Sequence, residues 1–150
     1  MILTAKIKGA QELRQVLRQL PDRVQKRVLA AAVRKGANVV RDAVIARAPV
    51  GTELDRHRKH LYQQINVRAI RGNNPQRVAL AVSTGAAYWG NFAEFGTRHQ
   101  PARPFMRPAF EASAGQALAA IGVAIGKGVE REAAILAGPY ARARKSLGVK

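Results

Sequence analysis

The sequence predicts an α+β domain: a small antiparallel β-sheet packed with one long helix before it and one long helix after it. Three observations carry this. Asp22–Arg47 repeats apolar residues at helical spacing, two alternating runs flank Gly72-Asn73-Asn74-Pro75, and Ala109 to about Leu136 carries a second helical stripe. One domain is expected over residues 1–137, with 138–150 as a mobile basic tail.

The elements follow in order. Ile2–Lys8 alternates Ile2, Thr4, Lys6 and Lys8 against Leu3, Ala5 and Ile7, as a short strand does, and Gly9 ends it. Gln11–Leu20 places Leu13, Val16, Leu17 and Leu20 on one helical face before Pro21-Asp22 breaks and restarts the helix. In Asp22–Arg47, Val24, Val28, Leu29, Ala32, Val33, Gly36, Val39, Val40 and Ala43 form the core face. At about 100° per residue, Arg23, Arg27, Arg34 and Arg41 fall together on the opposite side. No acid interrupts that stripe in the sequence, so two readings stand: a solvated face, or a surface for phosphates or an acidic partner.

Ala48-Pro49-Val50-Gly51-Thr52 closes the helix. Leu61–Ile70 and Gln76–Thr84 read as the two strands of a hairpin, to which Ile2–Lys8 can add. Ala86–Phe95 reads as about two turns of helix with a left-handed stop at Gly96. Pro101, Pro104 and Pro108 then force an extended path, with Pro108 in the first turn of the next helix. In the last helix Phe110, Ala114, Ala117, Leu118, Ile121 and Ile125 line one face, and Gly115, Gly122 and Gly126 a second. Glycine costs about 1 kcal/mol per helical position relative to alanine, so three together imply close packing or a weak helix. Gly138-Pro139 is expected to end it, leaving Arg142, Arg144, Lys145 and Lys150 in an acid-free tail.

Composition limits the function. Lys and Arg number 26 against 9 Asp and Glu, a net charge of +17. Self-repulsion of that size favours an anionic partner, with nucleic acid the leading candidate. Arginine exceeds lysine about two to one, which suits phosphate and interface contacts. There is no cysteine, hence no disulfide or thiolate metal site. No continuous apolar run of membrane-spanning length and no signal peptide stand out, so a cytosolic origin without membrane contact is expected.

Chemistry is sparse. Glu53-x-Asp55-x-His57-x-x-His60 is the one place where acids meet histidines, as a metal-dependent nuclease would need. Arg56, Arg58 and Lys59 would repel a cation there. No catalytic residue, cofactor or metal is expected. Ala86–Pro108 holds the only Trp and three of the four Phe. Its aromatics are expected to anchor the loop to the core, while Arg98, His99, Arg103 and Arg107 face a partner. Glu94 is expected to pair with Arg98, four residues on, or with an arginine of a neighbouring subunit.

Two signatures then point to a family. Tyr88…Glu94-Phe95-Gly96-Thr97 and Pro104-Phe105-Met106-Arg107-Pro108-Ala109 resemble those of the neck, or tail-completion, proteins of long-tailed lambdoid phages, the minor tail family at the head–tail junction. The resemblance covers most of the chain. After the long helix that family has a tighter Pro-x-x-Thr-Gly-x-Leu, from which Gly51-Thr52-Glu53-Leu54 and the inserted Asp55–His60 depart. The resemblance implies a non-enzymatic virion protein made in the bacterial cytoplasm. It would form a ring, hexameric by analogy, between head-closure and tail-terminator or tail-tube proteins, around double-stranded DNA held by non-specific contacts. On that reading Glu94, Phe95, Arg98, Arg103, Phe105 and Arg107 are subunit or partner contacts. Arg23, Arg27, Arg34, Arg41, Arg142, Arg144 and Lys145 are candidates to line the channel. The alternative is a free basic nucleic-acid-binding protein, with Tyr88 and Trp89 stacking on bases.

Overall fold

A computed structural model describes residues 21–50, 60–70 and 77–146. The elements are α1 (Asp22–Arg47), α2 (Leu61–Gln64), β1 (Asn66–Ala69), β2 (Leu80–Ser83), α3 (Trp89–Phe95) and α4 (Met106–Ser146). Two long antiparallel helices with a two-stranded antiparallel sheet make this an α+β domain, as the patterning predicts. The strand and helix expected within residues 1–20, the tight turn at 71–76 and the charged Glu53–Lys59 loop lie outside the described residues.

α1 has the bounds that its periodicity gives, and it buries Val28, Ala32, Gly36, Val40 and Val44. Those positions repeat every four residues and face α4. Gly36 lets the helices approach closely: a Cβ there would lie 2.6 Å from Ile121 Cγ1 and 2.9 Å from the Ala117 carbonyl oxygen. Gly128 does the same at the other end, where Val28 Cγ1 would be 2.7 Å from an added Cβ. The interior divides along this seam. A small cluster of Val28, Ala32 and Ile125 lies near the start of α1. The larger one gathers Val40, Val44, Ala48, Leu61, Ile65, Ala87, Phe105 and Ala109 where the sheet and α3 join the helices.

The hairpin pairs Asn66 with Ser83, Val67 with Val82, Arg68 with Ala81 and Ala69 with Leu80. It is shorter than the alternation predicts, because Leu61–Gln64 is a helical turn and not strand. Leu61 packs into the core, and the Gln63 side-chain oxygen accepts the His60 N–H at 3.2 Å, closing the turn locally. So short an apolar run fits either period, and burial of Leu61 and Ile65 decides between them.

α4 departs from expectation at its end. It continues through Gly138-Pro139 to Ser146, so residues 138–146 are helical. Proline removes one hydrogen bond and costs about 3 kcal/mol inside a helix, but strong helix formers such as Ala137, Ala141 and Ala143 flank it. Its Met106–Ile135 stretch is also, by length and composition, apolar enough to cross a bilayer, with mean hydropathy 1.3 over its best window. The sequence expectation concerned a continuous apolar run of that length, and the uncharged stretch here is bounded by Glu111 and Lys127. Its small uncharged residues run from Ala112 to Gly126. Gly115, Gly122 and Gly126 meet nothing within 4 Å, so they take no part in the close packing that Gly36 and Gly128 provide.

Candidate functional site: the α3–α4 junction and the arginine face

The two signature segments meet at one carboxylate. α3 places Glu94 on its buried side, and Gly96 ends the helix with φ 77 and ψ 178. That combination is essentially restricted to glycine, and it differs from the left-handed helical stop expected there. A Cβ at Gly96 would also lie 2.7 Å from the Ala102 nitrogen, because the chain folds straight back. Thr97 and Gln100 bond to each other, and the Arg103 N–H donates to the Ala93 carbonyl at 2.8 Å. The returning segment therefore delivers Phe105 to the core, 3% exposed, beside Glu94.

Glu94 then meets the start of α4. Its Oε2 accepts the N–H groups of Phe105 at 2.7 Å and Met106 at 2.9 Å, and its Oε1 accepts that of Arg107 at 3.1 Å. The first intrahelical bond runs from the Ala109 N–H to the Phe105 carbonyl. Residues 105 to 108 thus have no intrahelical acceptor. Glu94 satisfies three of these four positions, and the fourth is Pro108, which has no N–H. The negative charge also opposes the positive end of the helix dipole. Within the chain Glu94 therefore binds backbone, in place of the expected pairing with Arg98.

The other predicted contacts divide by exposure. Phe105 is inside. Phe95 is 79% exposed, Arg98 and Arg103 are exposed, and Arg107 is exposed with its Nε 3.7 Å from Glu111 Oε1. The aromatics of α3 do not all anchor the loop. Trp89 packs against the core, whereas Tyr88, Phe92 and Phe95 form an outward ridge, with Tyr88 edge-on to Trp89 and Phe92. Helical spacing groups aromatics on a face without saying whether that face is covered, so the sequence could not separate ridge from core.

On the arginine face, Arg23 and Arg34 are exposed. Arg27 reaches across to the buried Glu132 of α4, and Arg41 pairs with its neighbour Asp42 at 2.7 Å. The stripe is thus interrupted by acids after all, one of them supplied from the opposite helix. Arg142, Arg144 and Lys145 lie on the last turns of α4. Glu94 is turned inward onto backbone N–H groups, whereas Glu132 neutralises Arg27, so Arg23 and Arg34 carry the open charge of this face. Among the described residues, no group of three or more acids and histidines could hold a metal ion.

Comparison with known proteins places these features in context. No curated protein and no solved structure matches the chain. A protein-family model does match, over residues 11–96, from before α1 to the glycine that ends α3. Its description reads "Bacteriophage HK97-gp10, putative tail-component", and the chain belongs to this HK97-gp10-like family of phage tail components.

Proposed function

We propose that the protein is a structural subunit of the phage neck, a tail-completion or head–tail joining protein. Copies assemble into a ring, hexameric by analogy, around the DNA path between head-closure and tail-terminator or tail-tube proteins. It performs no catalysis, uses no cofactor and contacts no membrane. The observation that carries this beyond family membership is the distribution of charge. A chain of +17 turns Glu94 inward onto backbone and keeps Arg23 and Arg34 exposed along one helix face. Repeated around a ring, that face and the basic end of α4 surround a polyanion with non-specific phosphate contacts. Phe95, Arg98, Arg103 and Arg107 are the accessible contacts for a neighbouring subunit.

One observation favours the second reading, a free nucleic-acid-binding protein. Tyr88, Phe92 and Phe95 are exposed on one short helix, followed by Arg98 and Arg103, as a stacking platform requires. Native mass by light scattering at low and high salt, with and without short duplex DNA, separates the two. The neck reading expects a salt-resistant oligomer, or one that forms as concentration rises. A monomer that binds DNA with a steep salt dependence and never self-associates overturns it.

A further inference from the structure

An apolar groove of about 1050 Å³ opens between α1, β2 and α4. Val33, Val40, Val82, Leu118 and Ile121 line it, with the exposed Phe95 and Phe110 at its edge. Its charged lining residues are already engaged: Arg107 and Glu111 pair with each other, and Glu94 holds backbone. α4 carries a second bare surface on its other side. At about 100° per residue, Ala112, Ala119 and Val123 lie about 150° round the helix from the groove residues Arg107, Phe110, Ala114 and Leu118. All three are exposed, Val123 by 59%, and no charge interrupts the helix from Ala112 to Gly126. The most apolar window of α4 is only 22% buried within the subunit. Bare apolar surface of that extent marks a contact.

We propose that this bare face of α4 seats in the groove of a second copy, so that each subunit offers a helix on one side and a groove on the other. The inference rests on the ring reading above and names the two surfaces that meet in it. Position supports the assignment. Two different patches on opposite sides of one helix make a head-to-tail contact, the kind that closes into rings, whereas a single self-complementary patch stops at a dimer. Phe95 and Arg107, two of the contacts assigned to a neighbouring subunit, line the receiving groove. Length agrees. The groove follows α1 from Val33 to Val44, about 17 Å at 1.5 Å per residue, and Ala112 to Gly126 as helix supplies about 21 Å. Charge agrees as well. Copies of a +17 chain repel, and here an uncharged helix face meets a groove whose charges are already engaged, so the contact adds no like-charge pair. A bilayer would also cover an apolar helix, but it would leave the groove empty, whereas a second copy covers both.

Light scattering on full-length variants tests this. Val123→Glu spoils the helix face and Phe110→Lys the groove, and a thermal melt of each checks the fold. Ala119→Glu or Phe95→Lys, also at exposed positions, takes the place of a variant that melts early. The parent is expected to gain mass as its concentration rises, and each variant alone to stay at the monomer mass. Mixed one to one, the two variants are expected to form a dimer of twice that mass and nothing larger, because one intact groove meets one intact helix face. Association of both variants equal to that of the parent overturns the assignment and leaves a ring built on other surfaces. Variants that stay monomeric when mixed overturn it too, in favour of a two-fold contact. Open polymers of the parent, with the mixed variants dimeric, keep this contact and remove the closed ring. Flotation of the parent with neutral phospholipid vesicles, lost in Val123→Glu, assigns the face to lipid and overturns the proposal. A parent that is monomeric at every concentration overturns both readings.

Discussion

Replacing Glu94 by glutamine tests the junction between the two signature segments. The carboxylate accepts three backbone N–H groups at 2.7 to 3.1 Å from a site only 9% exposed. Hydrogen bonds to a charged acceptor contribute about 1.5 kcal/mol each or more, which for three gives about 4–5 kcal/mol. Glu94 also lines the open groove, so water can take over part of the bonding when the side chain is shortened. Glu94→Ala should therefore cost about 3–4 kcal/mol. Glu94→Gln keeps one acceptor oxygen but turns an NH₂ toward donors and loses the dipole term, for about 2 kcal/mol. Urea unfolding is the assay. With a slope of about 2 kcal/mol/M, the midpoint should fall by about 1 M for glutamine and nearly 2 M for alanine. Amide exchange at Phe105, Met106 and Arg107 should accelerate in step. If glutamine shifts the midpoint by less than about 0.2 M, equivalent to about 0.4 kcal/mol, the capping argument is wrong and the junction is held by Phe105 packing alone.

Three further outcomes are expected. Gly96→Ala should destabilise by about 2–3 kcal/mol, because its backbone conformation excludes a Cβ that would also strike Ala102; thermal denaturation reads this. Gly36→Ala should cost about 1–3 kcal/mol by forcing α1 from α4, whereas Gly122→Ala, which meets open space, should gain up to about 1 kcal/mol; calorimetry of both variants checks the contrast of sign. Arg23→Glu with Arg34→Glu should lower affinity for duplex DNA and flatten the dependence of log K on log salt by about 0.9 per lost phosphate contact, seen by fluorescence anisotropy. An unchanged slope would remove the arginine face from DNA binding.

Much of the architecture was legible because long helices repeat their pattern many times. Asp22–Arg47 has several turns of consistent burial, and no local accident outweighs them. Leu61–Gln64 has a single turn, too little to distinguish a period of two from one of 3.6. Gly138-Pro139 misled for another reason: local breakers state a cost, and a helix of 41 residues absorbs it. Glu94 is the instructive miss. Its partners lie 11 to 13 residues away, beyond any i, i+4 rule. A signal existed nonetheless. No Ser, Thr, Asp or Asn stands before Met106 to cap the helix, and Glu94 is the single acid between Asp55 and Glu111. Counting orphaned N–H groups at that start would have identified it.

The same cap has a consequence for alignment between the long helices. From Ala112 to Gly126, α4 is mostly alanine and glycine, a surface with shallow relief. Two such helices can slide by one turn, about 5.4 Å, and still bury comparable area. What removes that ambiguity is a fixed origin. Glu94 and Pro108 set the first residue of α4, and Phe105 pins that origin in the core. Val28 against Gly128 and Arg27 against Glu132 then serve as a distant check on the count. The chain thus stores its helix alignment at the two ends and at the close contact of Gly36 with Ala117 and Ile121, which leaves the open positions Gly115, Gly122 and Gly126 tolerant of small-residue exchange.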